Sequence, residues 1–186
     1  MRIIGGSFKG KKLLLPEDTR TRPLKDLPKE SIFNIINHTN KFKINLNSSV
    51  VLDIFSGVGS FGIECISRGV KNIVFIENYK SALDILKKNL TNLKSKFNYK
   101  ILEKDIYDEE IYSNLNNKFD IIFLDPPYKD KNFTSIMVKI KEKKLLSREG
   151  VIIIHRHKNE KDNLPLEFKI VEEKKYGISK IIFLSL

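Results

Sequence analysis

Asp125-Pro126-Pro127-Tyr128 follows directly on the apolar run Ile121-Ile122-Phe123-Leu124, which reads as a buried strand ending in a stiff loop. A carboxylate, two prolines of fixed φ and an aromatic ring at the carboxyl end of a strand form a rigid clamp for a flat, amine-bearing ligand. Prolines donate no hydrogen bonds, so their carbonyls are expected to face outward as acceptors. Such a clamp suits methyl transfer to the amine of a nucleobase. The plain alternative is a strand-terminating turn capped by Asp and Pro, and a second motif must separate the two.

That second motif is Asp53-Ile54-Phe55-Ser56-Gly57-Val58-Gly59-Ser60-Phe61-Gly62, between an apolar strand and a helix. Gly57, Gly59 and Gly62 match the dinucleotide-binding spacing, and Glu77 stands where that motif places its ribose-binding acid. An NAD-dependent enzyme is therefore a direct competitor. Asp53 separates the readings: a carboxylate just before the loop repels a pyrophosphate but accepts hydrogen bonds from a cationic ammonium. S-adenosylmethionine carries an ammonium and a sulfonium and no phosphate. Glu77 is then expected to accept from ribose hydroxyls, and Asp105, ending a third strand, to contact the adenine amine. The competing reading of Asp105 is an acid that caps the next turn.

The elements that must position these groups alternate along the chain. Strands are expected at Val50 to Phe55, Ile73 to Ile76, Tyr99 to Leu102, Asp120 to Leu124 and Val151 to Ile154. Helices are expected at Phe61 to Arg68, Ser81 to Leu93 and Phe133 to Leu146, with Phe168 to Val171 and Ile181 to Leu184 closing the chain as an antiparallel pair around Tyr176-Gly177. This order predicts an α/β, doubly wound, mostly parallel sheet with any ligand at the carboxyl ends of its central strands. Residues 1–45 differ in character. Arg2-Ile3-Ile4 and Lys11 to Leu15 are expected to pair as a short hairpin, Thr21-Arg22-Pro23 to run extended, and Asp26 to cap a helix with Pro28 in its first turn.

Ten basic and four acidic residues fall within positions 1–45, and the whole chain carries a net charge of +11. Such an excess points to a polyanionic partner, ahead of a lysine-rich composition imposed by an AT-biased genome. No apolar stretch reaches a membrane span, and the amino terminus lacks a signal peptide's apolar segment. A single cysteine, Cys65, excludes an internal disulfide and fits a reducing cytoplasm. The scattered three His and one Cys give no metal-ligand spacing.

With both motifs placed, the chain resembles a Rossmann-like S-adenosylmethionine-dependent methyltransferase, class I, of the amino-methylating D/N-P-P-Y/F kind. More narrowly it resembles the RsmD family. Arg2-Ile3-Ile4-Gly5-Gly6 with Lys9-Gly10, Thr21-Arg22-Pro23, Lys29-Glu30 and Phe33-Asn34 are similar to that family's amino-terminal signature. Leu52 to Gly59 and Ser67-Arg68-Gly69 are similar to its cofactor block. The resemblance implies methylation of the exocyclic N2 of a guanine in 16S ribosomal RNA, at the family's guanine-966 site. It implies a seven-stranded sheet with an antiparallel carboxyl-terminal strand, a basic RNA-contacting extension at residues 1–45 and a methyltransferase domain at 46–186. A cytoplasmic monomer acting on the small ribosomal subunit or its precursor is expected.

The candidate catalytic residues are Asp125, Pro126, Pro127 and Tyr128; the candidate cofactor residues are Asp53, Ser56, Gly57, Gly59, Glu77, Asn78, Asp105 and Ile106; the candidate RNA contacts are Arg20, Arg22 and Lys25. Two departures from the family stand out. Leu27-Pro28 replaces a typical Arg-Val, and His155-Arg156-His157 stands where a glutamate is common. His155 and His157 are expected as an exposed strand end. An adenine-N6 methyltransferase, an NAD-dependent oxidoreductase and a non-catalytic RNA-binding assembly factor remain as alternatives.

Overall fold

The computed structural model describes residues 1–18, 24–127 and 130–186. Strands β1 (Val50–Ile54), β2 (Asn72–Ile76), β3 (Tyr99–Leu102), β4 (Phe119–Leu124), β5 (Leu146–His157), β6 (Lys169–Tyr176) and β7 (Ser179–Ser185) form a sheet of order β3-β2-β1-β4-β5-β7-β6. β3, β2, β1, β4 and β5 pair in parallel, whereas β7 is antiparallel to both β5 and β6. The α/β expectation with its antiparallel strand holds. Strand order reverses between β1 and β4, which opens a crevice at their carboxyl ends.

Residues alternate across each strand, so the sheet faces two separate cores. Val51, Phe75, Phe123, Ile153 and Phe183 face α1 (Asp26–His38), α2 (Ser60–Ser67) and α3 (Lys80–Asn92). Leu52, Ile76, Ile122, Ile154 and Leu184 face α4 (Phe133–Glu142). On the first face Phe61 stacks on Phe33 at 5.5 Å and on Phe123 at 4.1 Å between ring centroids. Each such pair contributes about 0.5–1.5 kcal/mol beyond its buried area. The stack fixes α2, whose first turn carries the glycine loop, against β4, whose end carries the Asp-Pro-Pro stretch.

The amino-terminal segment is tied to this face. Arg2 bridges Lys12 in antiparallel sense, with Ile3 N–H donating to Lys11 O at 2.9 Å and Gly10 N–H to Ile3 O at 2.8 Å, as the hairpin expectation required. Ile3, Leu13 and Leu24 are buried in the core. Glu64 of α2 is wholly buried and gathers the Ile4 N–H at 2.8 Å, the Arg68 Nε at 2.8 Å and the Lys29 Nζ at 3.7 Å. Gly6 lies against Ser67 so closely that a Cβ would stand 1.8 Å from the Ser67 carbonyl oxygen, and its φ of +74° favours glycine as well.

Several boundaries differ from expectation, β6 among them, which runs Lys169–Tyr176 rather than Phe168 to Val171. Lys25, not Asp26, occupies the N-cap of α1 and makes no side-chain cap bond; Asp26 sits in the first turn, where its charge still favours the helix dipole. α4 stops at Glu142, not Leu146, because Lys144 turns left-handed at φ 51° and Leu145-Leu146 pack back onto the second core. β5 begins at Leu146 and extends to His157 rather than covering only Val151 to Ile154. The Thr21-Arg22-Pro23 expectation lies outside the described residues.

Candidate active site

Parallel register brings the chemistry-bearing residues together. Asp53 pairs with Phe123 and Ile54 with Leu124, while Leu124 in turn pairs with Ile154. Asp125 and His155 are thus the next residues on adjacent strands and stand side by side. Asp53, Asp125 and His155 share the face covered by α2 by strand alternation.

Asp53 is 1% exposed. Its Oδ2 accepts the Gly62 N–H at 2.9 Å, and a Cβ on Gly62 would come within 2.8 Å of that oxygen. Its Oδ1 is buried with no hydrogen-bond partner among the described residues. Burial, together with the charges of Asp125 and Glu77, pushes the carboxyl well above the usual range, against the opposing pull of the Gly62 N–H. A buried acceptor lacking a donor is costly unless a ligand supplies one. A cationic ammonium would supply it, whereas a pyrophosphate would add a second negative charge.

The loop above Asp53 is a left-handed turn. Phe55, Gly57 and Gly59 have φ of 59°, 54° and 84°, the first an uncommon conformation for a residue with a side chain. A Cβ on Gly57 would meet nothing within 4 Å, which leaves open space beside the loop backbone. Glu77, at the end of β2, secures the turn: it accepts from the N–H groups of Gly57 at 2.7 Å, Asn78 at 2.9 Å and Tyr79 at 2.8 Å. Its visible work is thus on the backbone, and its remaining lone pairs can still accept from a diol. Ser56 donates its N–H to Ile76 O at 3.1 Å and is buried.

Asp105 accepts the Tyr107 N–H at 3.0 Å and the Asn78 side-chain amide at 3.0 Å. It therefore takes part in the local turn that its competing reading required, and it also connects the loops after β2 and β3. Ile106 is 2% exposed and belongs to the second core, beneath that surface. Tyr107 continues across the crevice: its hydroxyl donates to Asp130 Oδ2 at 2.6 Å, and its ring lies 6.3 Å from Phe55. Asn89 of α3 holds the rear, donating to Val58 O at 3.1 Å and exchanging hydrogen bonds with the backbone of Leu14.

At the end of β4, the Asp125 N–H donates to Ile54 O at 3.3 Å. Asp125 Oδ1 lies 2.8 Å from His155 Nδ1, and His155 Nε2 lies 2.9 Å from Ser179 Oγ. His155 is only 5% exposed, which corrects the expectation of an exposed strand end; His157 is half-buried. Burial drives the imidazole toward neutrality, but the charge and hydrogen bond of Asp125 more than offset it and leave its pKa above the ordinary value, even with Arg156 opposing.

Arg156, 2% exposed, clamps the loop from the other side. Its guanidinium donates to Pro127 O at 3.2 Å, Asp130 O at 3.1 Å and Asp162 Oδ1 at 3.0 Å, and lies 4.6 Å from the Phe133 ring. The Pro127 carbonyl, also an acceptor for the Asp130 N–H at 2.8 Å, is therefore not the outward acceptor expected of it. The Pro126 carbonyl accepts no hydrogen bond among the described residues.

Tyr128, Arg20 and Arg22 lie outside the described residues. Lys25 is exposed just before α1, beside Leu24, whose carbonyl accepts from Ser60 at 3.3 Å on the glycine-loop side. His155, Arg156, Ser179 and Tyr107 were not identified from sequence. For His155 a signal existed, since it immediately follows the apolar run of the strand flanking β4.

The sheet order, the antiparallel β7, the glycine loop after β1 and the acids at the ends of β1 and β2 define a Rossmann-like methyltransferase. S-adenosylmethionine is the methyl donor of that class, and the donorless Asp53 oxygen and open Gly57 backbone fit it. More narrowly, the chain belongs to the family described as Conserved hypothetical protein 95, the RsmD family, whose model matches residues 1–185.

A putative rRNA methyltransferase of Bacillus subtilis is 30% identical over 97% of this chain and 96% of its own length. The Ribosomal RNA small subunit methyltransferase D of Haemophilus influenzae is 30% identical over 96% of this chain and 90% of its own. The crystal structure of a putative methylase from Haemophilus influenzae superposes with a TM-score of 0.74 at 28% identity, covering 99% of this chain and 97% of that one. No helix among the described residues is long and apolar enough to cross a membrane.

Proposed function

We propose that this chain transfers a methyl group from S-adenosylmethionine to the exocyclic N2 of a guanine in small-subunit ribosomal RNA, the guanine-966 site of its family. One observation carries the reading. Two carboxylates stand at adjacent strand ends in complementary states: Asp53 buried with an acceptor oxygen awaiting a cation, and Asp125 braced through one oxygen by His155. The first suits the cofactor's ammonium and the second a substrate amine. The relatives' names support ribosomal RNA as the carrier of that amine.

The cofactor supplies an electrophilic methyl group; the protein supplies geometry. A guanine N2 lone pair is delocalised into the ring and must be turned out of conjugation. Asp125 Oδ2 and the carbonyl of Pro126 each accept one amine hydrogen, and Tyr128 stacks on the base, a contact worth about 1–3 kcal/mol. Arg156 keeps the loop from drifting through its bonds to Pro127 and Asp130. Positioning of this kind supplies a large part of a rate enhancement. The nitrogen loses its proton after alkylation, when it is most acidic, and Asp125 receives it.

Asp53, Ser56, Gly57, Gly59, Glu77, Asn78, Asp105 and Ile106 form the cofactor side in this proposal. Residues 1–45 form the RNA-gripping extension, with Arg20, Arg22 and Lys25 on the phosphates, and residues 46–186 the methyltransferase domain. The chain works as a monomer on the small subunit or its precursor. The test is incorporation of labelled methyl into small-subunit RNA, with the modified nucleotide mapped. Asp125→Ala should lower single-turnover transfer at least about a hundredfold, a loss of transition-state positioning. Label appearing only in DNA, or on adenine, would replace the guanine reading.

A further inference from the structure

Resting on the function proposed above, we propose that His155 is a positioning residue for methyl transfer: it holds Asp125 in the orientation that receives the substrate amine, with Ser179 bracing the imidazole from behind. Register creates the pair. Leu124 and Ile154 are matched in β4 and β5, so the next residues, Asp125 and His155, meet at 2.8 Å between Oδ1 and Nδ1. On the far side, antiparallel β7 sets Ser179 opposite His157 and on the same face as His155, and Ser179 Oγ lies 2.9 Å from Nε2. His155 and Ser179 are 5% and 7% exposed, so this chain of contacts is internal to the sheet's carboxyl end.

A carboxylate on a loop after a strand has two side-chain torsions to fix. The Nδ1–H bond fixes them by committing Oδ1, which leaves Oδ2 as the acceptor directed away from the imidazole. Ser179 makes the brace independent of charge state. Its hydroxyl donates to a neutral Nε2 and accepts from a protonated one, so Nδ1–H stays on Asp125 in both.

The charge state still affects the reaction. Among the described residues, the charges that act on the pair are Arg156 on β5, which is held by Asp162, and Asp53 on β1 through its field on Asp125; Lys180 of β7 lies with Arg156 on the opposite face and pairs with Asp162. As the methyl group is transferred, positive charge develops on the amine held by Asp125. With neutral His155 the pair is singly negative and stabilises that charge; with imidazolium the pair is net neutral, beside Arg156, and stabilises it less. Transfer should therefore rise with pH as His155 deprotonates, at a pH above the ordinary histidine value because Asp125 holds the proton.

The experiment compares wild type, His155→Leu and His155→Gln in single-turnover methylation at cofactor concentrations that saturate each protein at every pH from 5.5 to 9, with cofactor affinity and melting temperature measured for each. His155→Leu should lower the rate about tenfold or more while cofactor affinity stays within about twofold, the signature of lost orientation rather than lost binding. His155→Gln retains an N–H donor; it should recover most of the rate at high pH and lack the rising limb. Wild-type rate in His155→Leu, or the same limb in His155→Gln, would overturn this inference while leaving the methyltransferase reading intact. No transfer to RNA by the wild type would overturn that reading, and this inference with it. If His155→Leu does not fold, the pH profile of His155→Gln decides alone.

Discussion

Asp53→Asn separates what Asp53 does for the fold from what it does for the cofactor. The amide oxygen can keep the Gly62 N–H at the position of Oδ2, 2.9 Å away, and the amide nitrogen then replaces the oxygen that lacks a donor. The fold keeps its hydrogen bond and loses a buried charge. The cofactor's ammonium, by contrast, meets a donor in place of an acceptor. A hydrogen bond to a charged group is worth about 1.5–3 kcal/mol, so affinity for S-adenosylmethionine should fall about 10- to 150-fold.

Asp53→Asn should also be the more stable protein at neutral pH. Because the folded pKa of Asp53 is raised above its unfolded value, its stabilising contribution is present below the unfolded pKa near 4 and is lost as pH rises through the folded pKa. The neutral amide escapes that loss. For the same reason, binding of the cofactor to wild type should strengthen with pH through the Asp53 titration and release a proton, and Asp53→Asn should do neither. Calorimetry in buffers of different ionisation enthalpy, with melting curves from pH 5 to 8, reads both effects. Unchanged cofactor affinity in Asp53→Asn would refute the assignment of its free oxygen to the ammonium.

Glu64→Gln removes the partner of Lys29 while both side chains are wholly buried, and burial already depresses the lysine pKa; unfolding in urea should show a loss of about 3–5 kcal/mol. Removing Arg20, Arg22 and Lys25 together should flatten the salt dependence of RNA binding and leave cofactor affinity unchanged, since each lost phosphate contact reduces the slope by about one; an unchanged slope in a filter-binding titration would place the RNA face elsewhere. Tyr128→Phe should retain methyl transfer and Tyr128→Ala should not, because stacking needs the ring; equal rates for the two would remove Tyr128 from the site.

The sequence by itself determined the sheet and the two loops. Alternating apolar runs, glycine spacing and proline stiffness are local properties, and local properties place Asp53 within the apolar run of β1 and Asp125 directly after that of β4. It could not determine which groups satisfy one another, because that depends on register between strands far apart in the chain. Glu77 was legible as an acid ending β2, yet only the folded loop shows it holding the amides of Gly57, Asn78 and Tyr79. The Pro127 carbonyl, an acceptor by sequence, is claimed by Arg156 from a strand 29 residues away. His155 reads as a polar strand end because polarity usually marks exposure. Pairing of β5 between β4 and β7 buries it instead, with a carboxylate on one side and a hydroxyl on the other, and that burial is what makes its proton matter.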